Sequence, residues 1–287
     1  MTAGAAENKR GRMPSRPQAR PGEGLQPTNG VNGDGSGTSI GCVMRAPVDH
    51  IAAPPFPRGL TWLNSTPQQL EHDRAMLVEF WDFCRPQSMR TLPYLKAWHE
   101  RYADLRVIGV HAAGFPPSTD PNAVSAAVDR LEVPYPVVVD AEYEMWNLYG
   151  NLGWPARYLF DQRGMLFHYH YGEGGYEETE RAIQELLGID EPLVAPFRPE
   201  EVADARLEAQ TDDVEGPYSG PYLAGGVWAV LDGTGKVAVN GRAIAVDHPG
   251  CYELIAHERS TAGELAVEIG GGVRCHAVCF TPGLASG

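Results

Sequence analysis

The chain has 287 residues, with 23 Lys and Arg against 37 Asp and Glu and a formal net charge of −14. That balance argues against general nucleic-acid binding, which needs clustered cations on phosphates, and no apolar run is long enough to span a bilayer. A hydrophobic content of 43% supplies material for one large or two smaller cores.

Residues 1–45 are poor in apolar side chains and rich in Gly and Pro, and are expected to be a disordered tail. Lys9, Arg10, Arg12, Arg16 and Arg20 are followed by Gly, Pro, Asn and Ser instead of an apolar stretch, so they do not form a secretory signal. A basic arm for an acidic surface is one reading; an unstructured extension, with Met44 as the true start, is the simpler one. In the Pro-rich approach Ala53 to Asn64, Leu60, Trp62 and Leu63 can dock on a core, and Thr66-Pro67 can open a short helix.

Met76-Leu77-Val78 leading into Phe80-Trp81 is predicted as a buried strand. A helix with Met89, Leu92, Leu95, Trp98 and Tyr102 at helical spacing follows. Between them lies a tight turn with Cys84, Arg85, Pro86, Gln87 and Ser88, where unpaired N–H groups and a helix dipole would favour a thiolate or another anion. Leu105 to His111 is a second, parallel strand, apolar enough for burial on both faces. Pro121 to Glu132 is a helix capped by Asp120, Pro136 to Asp140 a short strand, and Glu142 to Tyr149 a short helix. Ala156 to Phe160 and Met165 to Tyr171 form an antiparallel hairpin, and Tyr176 to Leu187 a closing helix ended by Gly188.

The expected result is an α/β sheet, parallel in part and antiparallel at one edge, over 46–190. An acidic, Pro-rich linker is expected over 191–220. Beyond it, short alternating runs from Val227 to Phe280, separated by Gly-rich turns, predict a small all-β sandwich over 221–287.

Phe80-Trp81, the turn and Pro93 resemble the active-site segment of the thioredoxin superfamily, in which Phe-Trp precedes a Cys-x-x-Cys pair and a helical proline follows. The ordered segments FWDF, RTLPY, VIGVHAAGF, YPVVVD, WNLYGN, GWPARYLFD and YHYGEG are similar to the thioredoxin-like domain of cytochrome-c-biogenesis-type membrane thiol transporters and of NHL-repeat proteins. The resemblance implies a thioredoxin-like mixed sheet flanked by helices, a thiol–disulfide oxidoreductase fold, and a cis-proline loop at Trp154-Pro155 that helps bind an extended peptide. The membrane-fused group also carries a C-terminal β domain, a weaker match here. The ungapped register puts Arg85 and Ser88 where the two cysteines stand in that family. Arg85 cannot attack a disulfide and Ser88 cannot form one.

Two readings of the turn follow. In the first, Cys84 is a monothiol nucleophile whose pKa the helix end and Arg85 depress, with Pro86, Gln87, Ser88, Trp154 and Pro155 lining the substrate site; its bland counterpart is a half-buried cysteine packed at the strand end. In the second, the module is non-catalytic and holds a peptide or an anionic ligand, with Arg85 and Ser88 at the helix start; here the bland counterpart is a solvated Arg85 and a Ser88 that merely caps the helix. Glu79 and Asp82 flank Trp81, and an acid below the turn assists proton transfer in active thioredoxins.

His168 and His170 share a strand face without a carboxylate or cysteine to complete a metal site. Cys275 and Cys279 are expected on one strand face, packed in a core. Trp228 and Tyr252 are the only clear aromatics for a sugar site, and both fit a core equally well. The five cysteines, Cys42, Cys84, Cys251, Cys275 and Cys279, suggest reduced thiols in the cytoplasm. No cofactor or metal is expected; the expected partner is a protein or small-molecule thiol or disulfide, or a peptide, with no nucleic acid or membrane involved.

Overall fold

The computed structural model describes residues 50–66, 74–202 and 204–285. The tail expected over 1–45, Cys42 within it and the helix expected from Thr66-Pro67 lie outside the described residues. A six-stranded mixed sheet runs in the order β1-β4-β3-β2-β5-β6. Its strands are β1 (Thr61–Leu63), β2 (Ala75–Trp81), β3 (Leu105–His111), β4 (Val137–Val139), β5 (Ala156–Phe160) and β6 (Leu166–Tyr171). β3 pairs in parallel with β2 and β4, while β5 pairs antiparallel with β2 and β6. Antiparallel pairing occurs at both edges, not one, because Trp62 of β1 stands opposite Val138 of β4. A three-residue strand is too short to display a period, so the sequence shows only apolar residues there.

Alternation along β2 splits the core into two. Leu77 and Trp81 face α1 (Pro86–Arg101), α2 (Pro121–Arg130) and α4 (Tyr176–Leu187), meeting Leu95, Trp98, Val124, Val128 and Ile183. Val78 and Phe80 face the other way, onto Met145 of α3 (Glu144–Leu148), the half-buried Phe56 of the strap before β1 and the half-buried Trp62 of β1. Consecutive right-handed crossovers that advance in one direction place α1 and α2 on one face, and the return to β5 places α3 on the other. Asp120 caps α2 by accepting from the Asn122 N–H at 2.9 Å, and Gly188 ends α4 at φ 67°.

Residues 191–201 lie against α1 and α4. Arg90, 5% exposed, donates from Nε to Glu173 and from Nη2 to Glu200 at 2.9 Å. The Tyr94 hydroxyl donates to Glu201 at 2.9 Å and accepts from the Phe197 N–H at 3.2 Å. Val194 donates to Glu180 at 2.9 Å.

Two short strands, β7 (Leu207–Glu208) and β8 (Val214–Glu215), precede β9 (Gly220–Gly233), β10 (Gly235–Val239), β11 (Arg242–Val246), β12 (Gly250–Leu265), β13 (Val267–Ile269), β14 (Val273–Thr281) and β15 (Gly283–Leu284). They form sheets β12-β9-β14-β8 and β11-β10-β13 and the pair β15-β7. Val227, Leu231 and Phe280 meet Val237, Val239 and Val246 across the sandwich. The opposite face of β9 and β14, with Val230, Ala277 and Cys279, joins the cluster that contains Trp81, Phe83 and Cys84.

The expectation that Cys275 and Cys279 share a face is corrected. Cys275 stands opposite Leu231 and Ala277 opposite Val230, so a bulge at His276 shifts the alternation by one residue. Cys275 therefore packs with the sandwich core and Cys279 with the turn.

Arg90→Ala leaves Glu173 and Glu200 facing each other without their cation. The expected outcome is destabilisation by about 3 kcal/mol in urea unfolding. A loss below about 0.5 kcal/mol, the value of a solvated pair, contradicts this role.

Candidate functional site

The turn after β2 is held by its own backbone and by one carboxylate. The Arg85 N–H donates to the Asp82 carbonyl at 3.0 Å, and Arg85 is the extended N-cap of α1 (φ −112°, ψ 125°), with no side-chain cap. Ser88 is not that cap: its Oγ accepts from the Asp82 N–H at 3.2 Å, and the residue is 2% exposed. It bonds back to the turn because, as the third residue of a helix that begins at Pro86, it sits under the chain that enters the helix.

Asp82 is fully buried. Its Oδ1 accepts from the Cys84 N–H at 2.9 Å and its Oδ2 from the Gly114 N–H at 2.7 Å. His111 Nε2 lies 3.7 Å from Oδ1. One carboxylate thus joins the turn to the loop after β3, a role the sequence hints at only through an acid two residues before the amide it accepts from, the Asx-turn spacing.

Cys84 is 0% exposed. Burial pushes its thiol pKa far up, Asp82 adds to the rise, and Ser118, Arg130 and Arg85 pull back only in part. This corrects the expectation of a depressed pKa. The residue precedes the helix N-cap, and its side chain lies inside the core instead of at the helix mouth, so the dipole and Arg85 do not offset desolvation.

Arg85 follows Cys84 at the start of α1. Its guanidinium lies 4.3 Å from the Trp154 ring centroid and 5.0 Å from that of Phe115, a geometry that favours a cation. A Cβ on Gly114 would come within 2.5 Å of Arg85 Nε and 2.8 Å of Asp82 Oδ2, so this position accepts only glycine without displacing one of them. The Trp154–Pro155 bond is cis, and Trp154 Nε1 donates to the Ala112 carbonyl at 2.8 Å. Pro86 and Pro155 are buried and Gln87 half-buried, its carbonyl accepting from Thr91 Oγ1 at 2.9 Å. Arg85, Phe115 and Trp154 therefore meet at one half-exposed surface, while Cys84 lies beneath it. Phe115 is the contact that sequence reasoning missed; no local spacing marks it.

Below the turn, Glu79 is fully buried opposite Arg157 of β5, with Arg157 Nε 3.6 Å from its Oε2. Burial raises the Glu79 pKa and Arg157 lowers it, leaving it at about 8. A 3.6 Å contact without a hydrogen bond does not offset the cost of burying the charge. Arg157 also donates from Nη2 to the Gly174 carbonyl.

The remaining candidates are dispersed. His170 Nε2 lies 3.5 Å from the Glu173 carbonyl, and among the described residues no three His, Cys, Asp or Glu side chains gather as a metal site. Trp228 packs against the turn-side cluster. Tyr252 accepts from the Asp247 and His248 N–H groups at 3.4 and 3.3 Å and stacks on His248. Among the described residues, no helix is long and apolar enough to cross a membrane.

No protein-family model matches the chain. It is 30% identical over 227 residues to Protein DipZ of Mycobacterium tuberculosis (strain CDC 1551 / Oshkosh), covering 71% of this chain and 32% of that protein. The chain thus spans about a third of that relative's length. It is 26% identical over 133 residues to the thiol-disulfide oxidoreductase YkuV of Bacillus subtilis (strain 168), covering 45% of this chain and 90% of YkuV. A solution structure of a thioredoxin-like protein in the oxidized form is 24% identical with a TM-score of 0.44, over 48% of this chain and 97% of the other.

Glu79 gives the first test of the site's electrostatics. The unfolded carboxyl loses its proton near 4.5 and the folded one near 8, so between these values unfolding releases a proton. Stability should fall as pH rises through this window, by up to about 1.4 kcal/mol per unit, and level off above it. Glu79→Gln should flatten that difference in pH-dependent denaturation; parallel wild-type and variant curves contradict the assignment.

Proposed function

We propose that this chain, which has the thioredoxin-like fold and is related to thiol–disulfide oxidoreductases, is a binding module that does not exchange disulfides. The observation that carries this reading is the exchange of positions at the turn. A guanidinium stacked on Phe115 and Trp154 stands where a nucleophilic thiol is required, and the neighbouring thiol of Cys84 is sealed in the core. Dithiol turnover needs an attacking thiolate and a resolving thiol within reach. Here the register supplies Arg85 and Ser88, and Ser88 is already bonded to the Asp82 backbone.

The half-exposed surface of Arg85, Phe115 and Trp154 suits an extended peptide with a carboxylate facing the guanidinium and an apolar side chain on the rings. Leu152, 84% exposed in the loop before Trp154, extends the apolar part. The packing of Val230, Ala277 and Cys279 in one cluster with Phe83 and Cys84 supports a turn held closed from the β-domain side. That packing limits access to the thiol and leaves the Arg85 surface as the place for a ligand.

Wild-type protein should accelerate insulin reduction by dithiothreitol no more than its Cys84→Ser variant does. Turnover that depends on Cys84 would overturn the reading in favour of monothiol chemistry. For the binding role, a fluorescein-labelled extended octapeptide with alternating Glu and Leu should bind the wild type, and Arg85→Gln should weaken it about tenfold, the value of one charge-assisted contact of roughly 1.4 kcal/mol. Equal polarisation titrations for the two proteins contradict the role of Arg85.

A further inference from the structure

Aromatic rings form a continuous row on the α3 side of the sheet. Trp154, under the Arg85 guanidinium, has its ring centroid 4.3 Å from that of Trp146 in α3. Trp146 meets Phe80 edge-on at 5.9 Å, and Phe80 meets Tyr149 at 5.2 Å and Tyr158 at 5.9 Å. Tyr149 and Tyr158 are themselves 5.2 Å apart, so two routes converge on Tyr158 in β5. From there the row reaches Tyr171 at 5.9 Å and Tyr169 at 5.6 Å, both on the edge strand β6. Rings at these spacings are in contact. Indoles and phenols are also the side-chain rings that give up an electron most readily; Phe80 is the only spacer in the row.

A phenol that loses an electron must lose its hydroxyl proton as well if the radical is to persist. The surroundings of each hydroxyl therefore decide where an oxidising equivalent comes to rest. Among the described residues, the Tyr149 hydroxyl has no hydrogen-bond partner, and burial pushes its pKa up. Tyr158 is 6% exposed; its hydroxyl donates to Asn151 Oδ1 at 2.9 Å and lies 3.1 Å from the Tyr171 hydroxyl. Neither phenol can release a proton to water. Tyr171 and Tyr169, 44% and 49% exposed, can. The row thus begins at two half-buried indoles and ends at two solvated phenols.

We propose that this row carries single-electron oxidising equivalents from Trp154 and Trp146 to Tyr171 and Tyr169. A small-radical oxidant takes one electron from an indole ring. An electron from the β6 phenols then passes through Tyr158 and across Phe80 and refills the indole. Tyr171 or Tyr169 is left one electron short, and its O–H bond breaks with the proton going to water. A thiol in solution restores the phenol by giving up a hydrogen atom and becomes a thiyl radical. This activity uses no cysteine of the chain and does not depend on what the Arg85 surface binds.

Pulse radiolysis of the full chain in azide solution tests the proposal, because azidyl radicals oxidise tryptophan by one electron. Transient absorption should show the indolyl signal decaying as a phenoxyl signal grows, in a first-order step whose rate is independent of protein concentration. Tyr158→Phe should lose that step, since both routes converge there. Replacing Tyr169 and Tyr171 together by Phe should lose the phenoxyl product and prolong the indolyl signal. Tyr252→Phe, in the β domain, should leave the step unchanged. Circular dichroism checks each fold; should Tyr158→Phe not fold, the double variant on the exposed strand decides. The proposal is overturned by a wild-type rate in folded Tyr158→Phe, by undiminished phenoxyl in the double variant, by loss of the step in Tyr252→Phe, or by a rate that rises with protein concentration.

Discussion

The buried carboxylate of Asp82 is the constraint on which the turn depends. By accepting from the amides of Cys84 and Gly114 it fixes two loops that follow neighbouring parallel strands. Water cannot reach it, so both bonds must be kept for the carboxylate to remain buried. The close approach of Gly114 follows from this bond, and the bare α-carbon there leaves room for the Arg85 side chain. Arg85 in turn lies on Phe115 and Trp154. The sheet brings these residues together, but the carboxylate sets their spacing.

The same arrangement decides the state of the thiol. A cysteine at a helix mouth is stabilised as thiolate by amides and dipole; a cysteine one position earlier, turned inward, meets only desolvation and a neighbouring acid. Cys84 is the second case. The β domain reinforces it, since Val230, Ala277 and Cys279 share the cluster with Phe83 and Cys84. Fold does not decide chemistry here: the mixed sheet is complete, while the turn after β2 presents the cation of Arg85 and the hydrogen-bonded hydroxyl of Ser88.

Much of the sheet was legible in the sequence because β2, β3 and β5 are apolar runs, Asp120 caps α2 and Gly188 ends α4. Leu105 to His111, Ala156 to Phe160 and Tyr176 to Leu187 are read with the boundaries the structure has. Strand lengths in the β domain were not legible: Gly225 and Gly226 interrupt the apolar pattern of β9, yet the strand runs on through them, with a register shift against β12 between Gly226 and Ala224. The bulge at His276 was hidden for the same reason, since inserting one residue leaves composition unchanged and reverses the faces. One signal was available and carried more than a strand assignment. Val227 to Leu231 is apolar at every position, which implies burial on both faces and therefore a second surface against the β sandwich. The stacking of Arg85 on Phe115 and Trp154 had no local signal, because it depends on which loops the parallel strands deliver to one end of the sheet.

The most direct test of the account is the rate at which iodoacetamide modifies Cys84 in the native chain between pH 6 and 10, with Cys84→Ser identifying its share of the signal. A sealed thiol with a raised pKa predicts modification far slower than that of free cysteine across the whole range, and rapid modification only after unfolding. Fast alkylation at pH 7 that follows a titration below that of free cysteine would contradict the account and return a nucleophile to the turn.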